Sequence, residues 1–100
     1  MTTKPTHDAD WVARVLDDVR EEVQRAEAKF PPFNSAHEGY AVILEELDEL
    51  WEEVKRNGSV RDTERMRLEA IQVAAMAVRF LVNVCRPSPE AADAVREDPR

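Results

Sequence analysis

The sequence predicts an all-α fold in which three main helices form a bundle that is completed by oligomerisation. Only two glycines occur in the 100 residues, and most of the six prolines lie near the ends or in one adjacent pair. The interior is rich in Ala, Leu, Glu, Arg and Val, a composition that favours helices. The length suits one domain, so a functional site must be built from very few elements or be shared between subunits.

Charge and hydropathy argue against several classes of protein. The formal net charge of -7 has the wrong sign for binding a phosphate backbone, so no nucleic-acid partner is expected. The most apolar stretch, residues 70–85, is short and is interrupted by polar side chains, and the N-terminus does not resemble a signal peptide. The single cysteine excludes an intrachain disulfide and fits a reducing setting. We therefore expect a cytoplasmic protein without a membrane partner.

The first helix is expected over residues 9–29, with Asp8 or Asp10 as its N-cap. Apolar residues recur along it at steps of three and four, which gives one packing stripe and a charged outer face. The adjacent residues Pro31 and Pro32 cannot continue a helical hydrogen-bond ladder, so the helix must end before them.

The second helix is expected over residues 36–57 and opens with a capping box. The Ser35 hydroxyl would accept a hydrogen bond from the backbone N–H of Glu38, and the Glu38 carboxylate would reach back towards the cap. Asn57 and Gly58 supply a left-handed stop at the other end. The sequence thus predicts a helix of about six turns.

The third helix is expected over residues 60–85, capped by Ser59 or Asp62 and ended by the prolines that follow. Thirteen of the 16 residues from 70 to 85 are apolar, so this helix should be covered on most sides. So small a chain offers little else to cover it, and we expect at least a dimer whose second and third helices pack between subunits. Residues 86–100 are expected to form a tail with room for one short helix.

One segment of the second helix, residues 38–53, carries the entire net charge. It holds seven acids between positions 38 and 53 and no Lys or Arg: Glu38, Glu45, Glu46, Asp48, Glu49, Glu52 and Glu53. The rest of the chain holds 14 acids and 14 bases. Like charges four residues apart destabilise a helix, so the run indicates either a counterion or a solvated acidic face.

Helical geometry selects the acids that matter. Glu46 and Glu49 are three residues apart, about 60° around the helix, so their carboxylates can converge on one point. Hard oxygen ligands of this kind suit Mg2+ or Mn2+. We expect Glu38, Asp48 and Glu53 to belong to a solvated face.

Polar residues on the third helix share one face. Arg65, Glu69, Gln72, Arg79 and Asn83 are separated by 4, 3, 7 and 4 positions. Buried polar groups are costly unless they are paired. This polar seam should therefore line a cleft, a metal or a partner, or else form an interhelical network of salt bridges and amides.

The two helices together contain E-E-x-x-E at positions 45, 46 and 49, then 19 residues, then E-x-x-Q at positions 69 and 72. With the segments FNSAHEGYAVILEELDELWEEVKR and MRLEAIQVAAMAVRF, this spaced pair resembles the MazG-like family of all-α nucleoside triphosphate pyrophosphohydrolases. The family motifs are E-E-x-x-E and E-x-x-D, and the resemblance covers about residues 30–85. It implies Mg2+-dependent, or Mn2+-dependent, cleavage of an NTP or dNTP to the monophosphate and pyrophosphate.

The resemblance also implies roles for individual residues. Glu46, Glu49 and Glu69 match metal-ligand positions, and Gln72 occupies the position of the family's aspartate. Glu45 and Glu46 are the candidate catalytic acids, and Glu45 matches the first acid of the motif, which ligates a metal or orients water. Because an amide oxygen brings no charge, Gln72 would hold a cation less tightly than an aspartate.

Substrate contacts are expected from other polar residues. A guanidinium matches phosphate geometry, so Arg79 is the expected phosphate contact, with Lys55 or Arg56 in a similar role. An ion pair between Arg79 and an acid across a subunit interface is the alternative. Asn83 lies one turn beyond Arg79 on the seam and is expected to contact substrate with it. His37 either contacts the base or packs at the start of its helix.

A second functional class stays open alongside the enzyme. Gln72 in place of an aspartate is compatible with a catalytically silent helical oligomer that binds a nucleotide or a protein partner. Aromatic residues on helix stripes more often belong to a core than stack on a base. Both roles, packing in a core and stacking on a base, stay open for Trp11, Phe33 and Trp51.

Overall fold

The computed structural model describes residues 7–56 and 62–87, which form three α-helices and no strand. The helices are α1 (His7–Lys29), α2 (Ala36–Val54) and α3 (Thr63–Asn83). The predicted all-helical class is therefore confirmed for the described residues. Within these two ranges, no helix combines the length and the apolar character that a membrane span requires.

The ends of α1 agree with the prediction at one terminus only. The helix ends at Lys29, just before the Phe30 and Pro31 that were expected to stop it. It begins at His7, so Asp8 and Asp10 lie inside its first turn and neither of them is the cap. Their negative charges still stabilise the helix there, because the N-terminal end of the helix dipole is positive.

The capping box at the start of α2 forms with one difference from the prediction. The Ser35 hydroxyl accepts a hydrogen bond from the Glu38 backbone N–H at 3.1 Å, as expected. The Glu38 carboxylate reaches one residue further back than predicted, to the backbone N–H of Asn34 at 2.6 Å. Glu38 therefore fixes the segment that leads into α2 and remains exposed.

α2 ends earlier along the chain than predicted, and α3 begins later than predicted. α2 ends at Val54, and α3 begins after Asp62, whose carboxylate accepts hydrogen bonds from two backbone N–H groups of the first turn. The choice of Asp62 as a cap is thus confirmed. The Asn-Gly stop and the alternative serine cap fall in residues 57–61, and the short C-terminal helix falls mainly in residues 88–100, both outside the described residues.

α3 is the central helix of the fold. The contacts Asp18 to Arg67 and Glu27 to Arg79 show that α1 runs parallel to α3. α2 runs antiparallel to α3, because its last turn meets the first turns of α3. Among the described residues, no Cα atom of α1 lies within 8 Å of a Cα atom of α2. The three helices therefore form a layer with α3 in the middle.

The core of a single chain is small. Ala26, Ala75 and Met76 are buried, with a few partly buried residues packed around them. We expected α3 to be covered on most sides, but only Ala75, Met76 and Arg79 of this helix are buried in one chain. Large apolar side chains on the two outer helices are exposed, among them Trp11, Leu16, Tyr40, Leu44, Leu47 and Trp51. The layer arrangement explains this, because α1 and α2 each have only one neighbouring helix.

Candidate functional site

Three carboxylates from two helices meet at the contact between α2 and α3. One oxygen from each of Glu46, Glu49 and Glu69 lies within 4.8 Å of the other two. Glu46 and Glu49 are adjacent on one face of α2, and the antiparallel path of α3 places Glu69 opposite them. We refer to these three residues as the carboxylate cluster. The cluster contains three of the four residues for which the family resemblance implied a metal-binding role.

The carboxylate cluster brings like charges together, and the charge of Arg65 offsets them only in part, at Glu69. Burial, followed by the charges of Glu49, Glu69 and Glu45, raises the pKa of Glu46 to about 7. Burial and the charge of Glu49 likewise raise the pKa of Glu69. One oxygen of Glu69, Oε2, is buried and has no hydrogen-bond partner among the described residues. The site therefore favours a bound proton or cation at neutral pH.

A fourth acid, Glu53, is buried beside the cluster, which corrects the prediction of a solvated side chain. Glu53 is only 7% exposed, and its oxygens lie 3.4 Å from the Nε atoms of Arg65 and Arg56. It lies one turn after Glu49, on the side of α2 that faces α3. The spacing of four positions places Glu53 on the same face as Glu49, but it does not show that this face is turned towards α3 at Glu53. The other two acids assigned to the solvated face, Glu38 and Asp48, are exposed as predicted.

A pocket of about 330 Å³ opens next to the cluster, between the three helices and the segment that joins α1 to α2. We call it the interhelical pocket. Its wall is formed by residues 30–33, and Glu45 and Glu46 line the side towards the carboxylate cluster. Apolar walls with a few polar groups are typical of small-molecule sites. Its other lining residues include Arg25, Val42, Gln72, Met76 and Arg79.

Gln72 lies between the interhelical pocket and α1. Its side chain contributes to the low pKa of Glu22, although hydrogen bonding from Arg25 is the main cause. Glu46 lines the same pocket. Gln72 thus shares a pocket with one acid of the carboxylate cluster, and its amide interacts with an acid of α1.

Arg79 and Asn83 are both bound to one acid of α1. The Arg79 Nε atom donates a hydrogen bond to Glu27 Oε2, and Asn83 Nδ2 donates to the same oxygen at 3.3 Å. Arg79 Nη2 donates to the Pro31 carbonyl at 2.9 Å, and its guanidinium lies 4.7 Å from the centre of the Phe33 ring. Hydrogen bonding from Arg79 is the main reason that the pKa of Glu27 is lowered. Arg79 therefore pairs with an acid of its own chain, whereas the alternative prediction from the sequence placed that acid across a subunit interface.

The other predicted contact residues lie on the surface. Lys55 is exposed, and its Nζ atom lies 3.1 Å from Glu52 Oε2. His37 is exposed in the first turn of α2 and lines an apolar groove with Tyr40 and Phe80. It precedes Glu46 by nine residues, which is about 13 Å along the helix axis.

Sequence reasoning missed the residues of α1 that meet the polar seam. Glu22 and Glu27 flank the buried Ala26, so they lie at the edges of the packing stripe that the apolar spacing had identified. Their place at the edges of the stripe marks these acids as candidates for contact with a neighbouring helix, but it does not say which residues they would meet.

Comparison of the chain with protein-family models, with curated proteins and with solved structures finds no match in any of the three.

Proposed function

We propose that this protein is a Mg2+-dependent, or Mn2+-dependent, nucleotide pyrophosphohydrolase that converts an NTP or dNTP to the monophosphate and pyrophosphate. The observation that carries the proposal is the convergence of Glu46, Glu49 and Glu69 within 4.8 Å beside the interhelical pocket. The spacing of these acids also resembles the paired motifs of the MazG-like family.

The residues of the carboxylate cluster fit a hard divalent cation. They offer three carboxylate oxygens within a short distance, and the buried Oε2 of Glu69 lacks a hydrogen-bond donor among the described residues. Carboxylate oxygens are the preferred protein ligands of Mg2+ and Mn2+. Glu46, Glu49 and Glu69 would hold the ion, with the amide of Gln72 as a weaker candidate on the pocket side. A bound Mg2+ supplies charge neutralisation at phosphate oxygens and lowers the pKa of water.

The chain's own residues orient the substrate and move a proton. Glu45 is exposed, lines the interhelical pocket and lies outside the cluster, so we assign it as the proton acceptor. The oxygen of a water molecule attacks the α-phosphorus while the bond from this phosphorus to the bridging oxygen of the β-phosphate breaks. Pyrophosphate leaves with that oxygen, and a proton of the water passes to the Glu45 carboxylate.

The interhelical pocket supplies the place for the nucleoside. Phe30 and Phe33 present aromatic surface to it, and Arg25 adds a guanidinium at its edge. Aromatic rings and arginine planes both stack on bases. A nucleotide whose base occupies this pocket would have its phosphates beside Glu46, which lines both the pocket and the cluster.

The active form is proposed to be at least a dimer. On α2, the exposed residues Tyr40, Leu44, Leu47 and Trp51 follow steps of four, three and four. This spacing makes one apolar stripe of the kind that packs against another helix. Contiguous apolar surface of this kind marks an interaction site.

A second candidate function is a catalytically silent oligomer that binds a nucleotide or a protein partner. The observation that favours it is Gln72, whose amide interacts with Glu22 and adds no charge to the carboxylate cluster. In that case the cluster would bind cation and nucleotide without hydrolysis.

The test is pyrophosphate release from a panel of NTPs and dNTPs with Mg2+ or Mn2+, read by a coupled inorganic pyrophosphatase. The enzyme proposal expects release from at least one nucleotide, and it expects the metal to raise the melting temperature by binding the folded state. No release from any nucleotide, with retained thermal stabilisation by metal and nucleotide, would favour the silent oligomer. No release and no stabilisation would reject both the enzyme and a silent oligomer that binds a nucleotide.

A further inference from the structure

A single buried cation connects three parts of the molecule at the wall of the interhelical pocket. Arg79 of α3 is only 2% exposed. Its guanidinium donates to Glu27 of α1 and to the carbonyl of Pro31, and it lies against the ring of Phe33. One side chain therefore links α3, α1 and the segment that joins α1 to α2.

The segment of residues 30–33, which we call the aromatic wall, can make few hydrogen bonds of its own. Pro31 and Pro32 have no backbone N–H, so they cannot donate to a neighbouring carbonyl. Arg79 supplies the donor that the Pro31 carbonyl needs. The position of the aromatic wall thus depends on a side chain of α3.

Phe33 is held from two sides. Its ring faces the Arg79 guanidinium on one side, with 4.7 Å to the ring centre. It also approaches the backbone of α2 at Gly39, where an added Cβ would lie 3.0 Å from Phe33 and 2.6 Å from Phe80. Gly39 therefore permits the close approach of the ring to α2, and the Arg79 guanidinium is a second contact of the same ring.

Arg79 is placed far from the carboxylate cluster. It follows Glu69 on the same helix by ten residues, which corresponds to about 15 Å along the axis. Its Nε and Nη2 atoms already donate to Glu27 and Pro31. Phosphates held at the cluster would lie near Glu46, Glu49 and Glu69. Distance and hydrogen bonding therefore both argue against a phosphate contact.

We infer that Arg79 is a positioning residue that fixes the aromatic wall, and that the wall binds the planar base of a nucleotide. Arg79 acts on the ligand through Pro31 and Phe33, and it acts without contacting phosphate. The inference rests on the proposed function, because it assigns the interhelical pocket to the nucleoside part of that substrate.

The experiment measures the two halves of the ligand separately. Calorimetry or nuclear magnetic resonance titration gives the affinity for uncharged nucleosides, including cytidine, uridine, adenosine, guanosine and their deoxy forms. A second titration uses inorganic tripolyphosphate with Mg2+, which reports the carboxylate cluster. We expect Arg79→Lys to weaken nucleoside binding about tenfold, because the charged hydrogen bond from the guanidinium to the Pro31 carbonyl is lost. Tripolyphosphate binding should stay within about twofold of the native value.

Two further variants separate positioning from general damage. Glu27→Gln leaves Arg79 in place but weakens its anchor, so it should weaken nucleoside binding in the same direction with a smaller fold-change. Arg67→Met removes another arginine that joins α3 to α1, through Asp18, and that does not line the interhelical pocket. It should leave both affinities unchanged. Retained tripolyphosphate binding in every variant shows that the carboxylate cluster is still folded.

Three outcomes would overturn the inference. One is loss of tripolyphosphate binding in Arg79→Lys that equals the loss of nucleoside binding, since that marks a phosphate contact. The others are unchanged nucleoside binding in Arg79→Lys and the absence of nucleoside binding by the native protein. Failure of the native protein to bind tripolyphosphate with Mg2+ would instead reject the proposed function, because the nucleoside titration requires no metal.

Discussion

The central helix α3 has two interfaces that treat charge in opposite ways. Towards α1, its cations are matched by acids, with Arg67 beside Asp18 and Arg79 beside Glu27. Towards α2, the carboxylate cluster gathers three acids, and burial together with their mutual repulsion raises the pKa of Glu46 to about 7. The side of α3 that faces α1 therefore pairs opposite charges, whereas the side that faces α2 brings like charges together.

This difference distinguishes a structural interface from a candidate site. Matched pairs satisfy buried charges and fix the orientation of the two helices. Clustered like charges lower the stability of the metal-free protein, and such perturbed groups are enriched at functional sites. The α2 side also contains one acid that is paired with cations, the buried Glu53, which lies beside Arg65 and Arg56. At the carboxylate cluster, burial and the charge of Glu49 raise the pKa of Glu69, and the charge of Arg65 lowers it only in part.

The largest effect is expected from removing an acid of the cluster. Glu49→Gln should lower Mg2+-dependent pyrophosphate release by more than about 100-fold, because a metal ligand contributes several kcal/mol to the transition state. The matched control is Asp48→Asn, an exposed acid of the same helix with no place in the cluster. It should retain activity within about threefold. Equal activity in the two variants would contradict the assignment of the cluster.

Removing an acid from the other interface should reduce stability. Glu27→Ala leaves the buried Arg79 without its ion pair, so the free energy of unfolding should fall by about 3 kcal/mol. Asp17→Ala breaks an exposed pair with Arg20 and should cost less than about 1 kcal/mol. Chemical denaturation monitored by circular dichroism measures both values. A loss for Glu27→Ala no larger than that for Asp17→Ala would contradict the structural role of the α1 interface.

Local rules predicted much of the fold and the core of the site. Apolar periodicity located the three helices, and the Ser35 and Asp62 caps formed as expected. The spacing of Glu46 and Glu49 required only the geometry of one helix turn. Glu69 was expected at the site from the resemblance to the MazG-like motifs, and the antiparallel packing of α2 and α3 brings it to the other two.

Features that depend on the relative rotation of helices could not be predicted. The polar seam of α3 looked like one surface, but Glu69 faces α2 whereas Arg79 and Asn83 face α1. Glu27 is 52 positions from Arg79 in the sequence, and no local rule couples such distant residues. Glu53 was assigned to solvent because its burial depends on how α2 is turned towards α3.

Neutralising one acid of the cluster should raise the free energy of unfolding, by less than the loss expected for Glu27→Ala. Glu46→Gln removes repulsion from Glu49 and Glu69, so the metal-free protein should gain about 1 kcal/mol, after allowance for the solvent screening of a partly buried group. The same change should reduce the thermal stabilisation by Mg2+. Glu45→Gln, which alters an exposed acid outside the cluster, should change the metal-free stability by less than about 0.5 kcal/mol. A destabilised Glu46→Gln protein would show that the acid has a structural partner.

The smallest expected effect is a pH dependence that separates the two interfaces. The folded state raises the pKa of Glu46 from 4.5 to about 7, so it binds more protons than the unfolded state between these values. The contribution of Glu46 to stability is therefore fully present below pH 4.5 and is lost as the pH rises to about 7. Glu27, whose pKa is lowered by Arg79, has the opposite sign and loses its contribution as the pH falls below 4.5. Unfolding curves of metal-free native protein and Glu46→Gln should therefore converge at pH 4.5 and separate towards pH 7, and parallel curves would contradict the repulsion in the cluster.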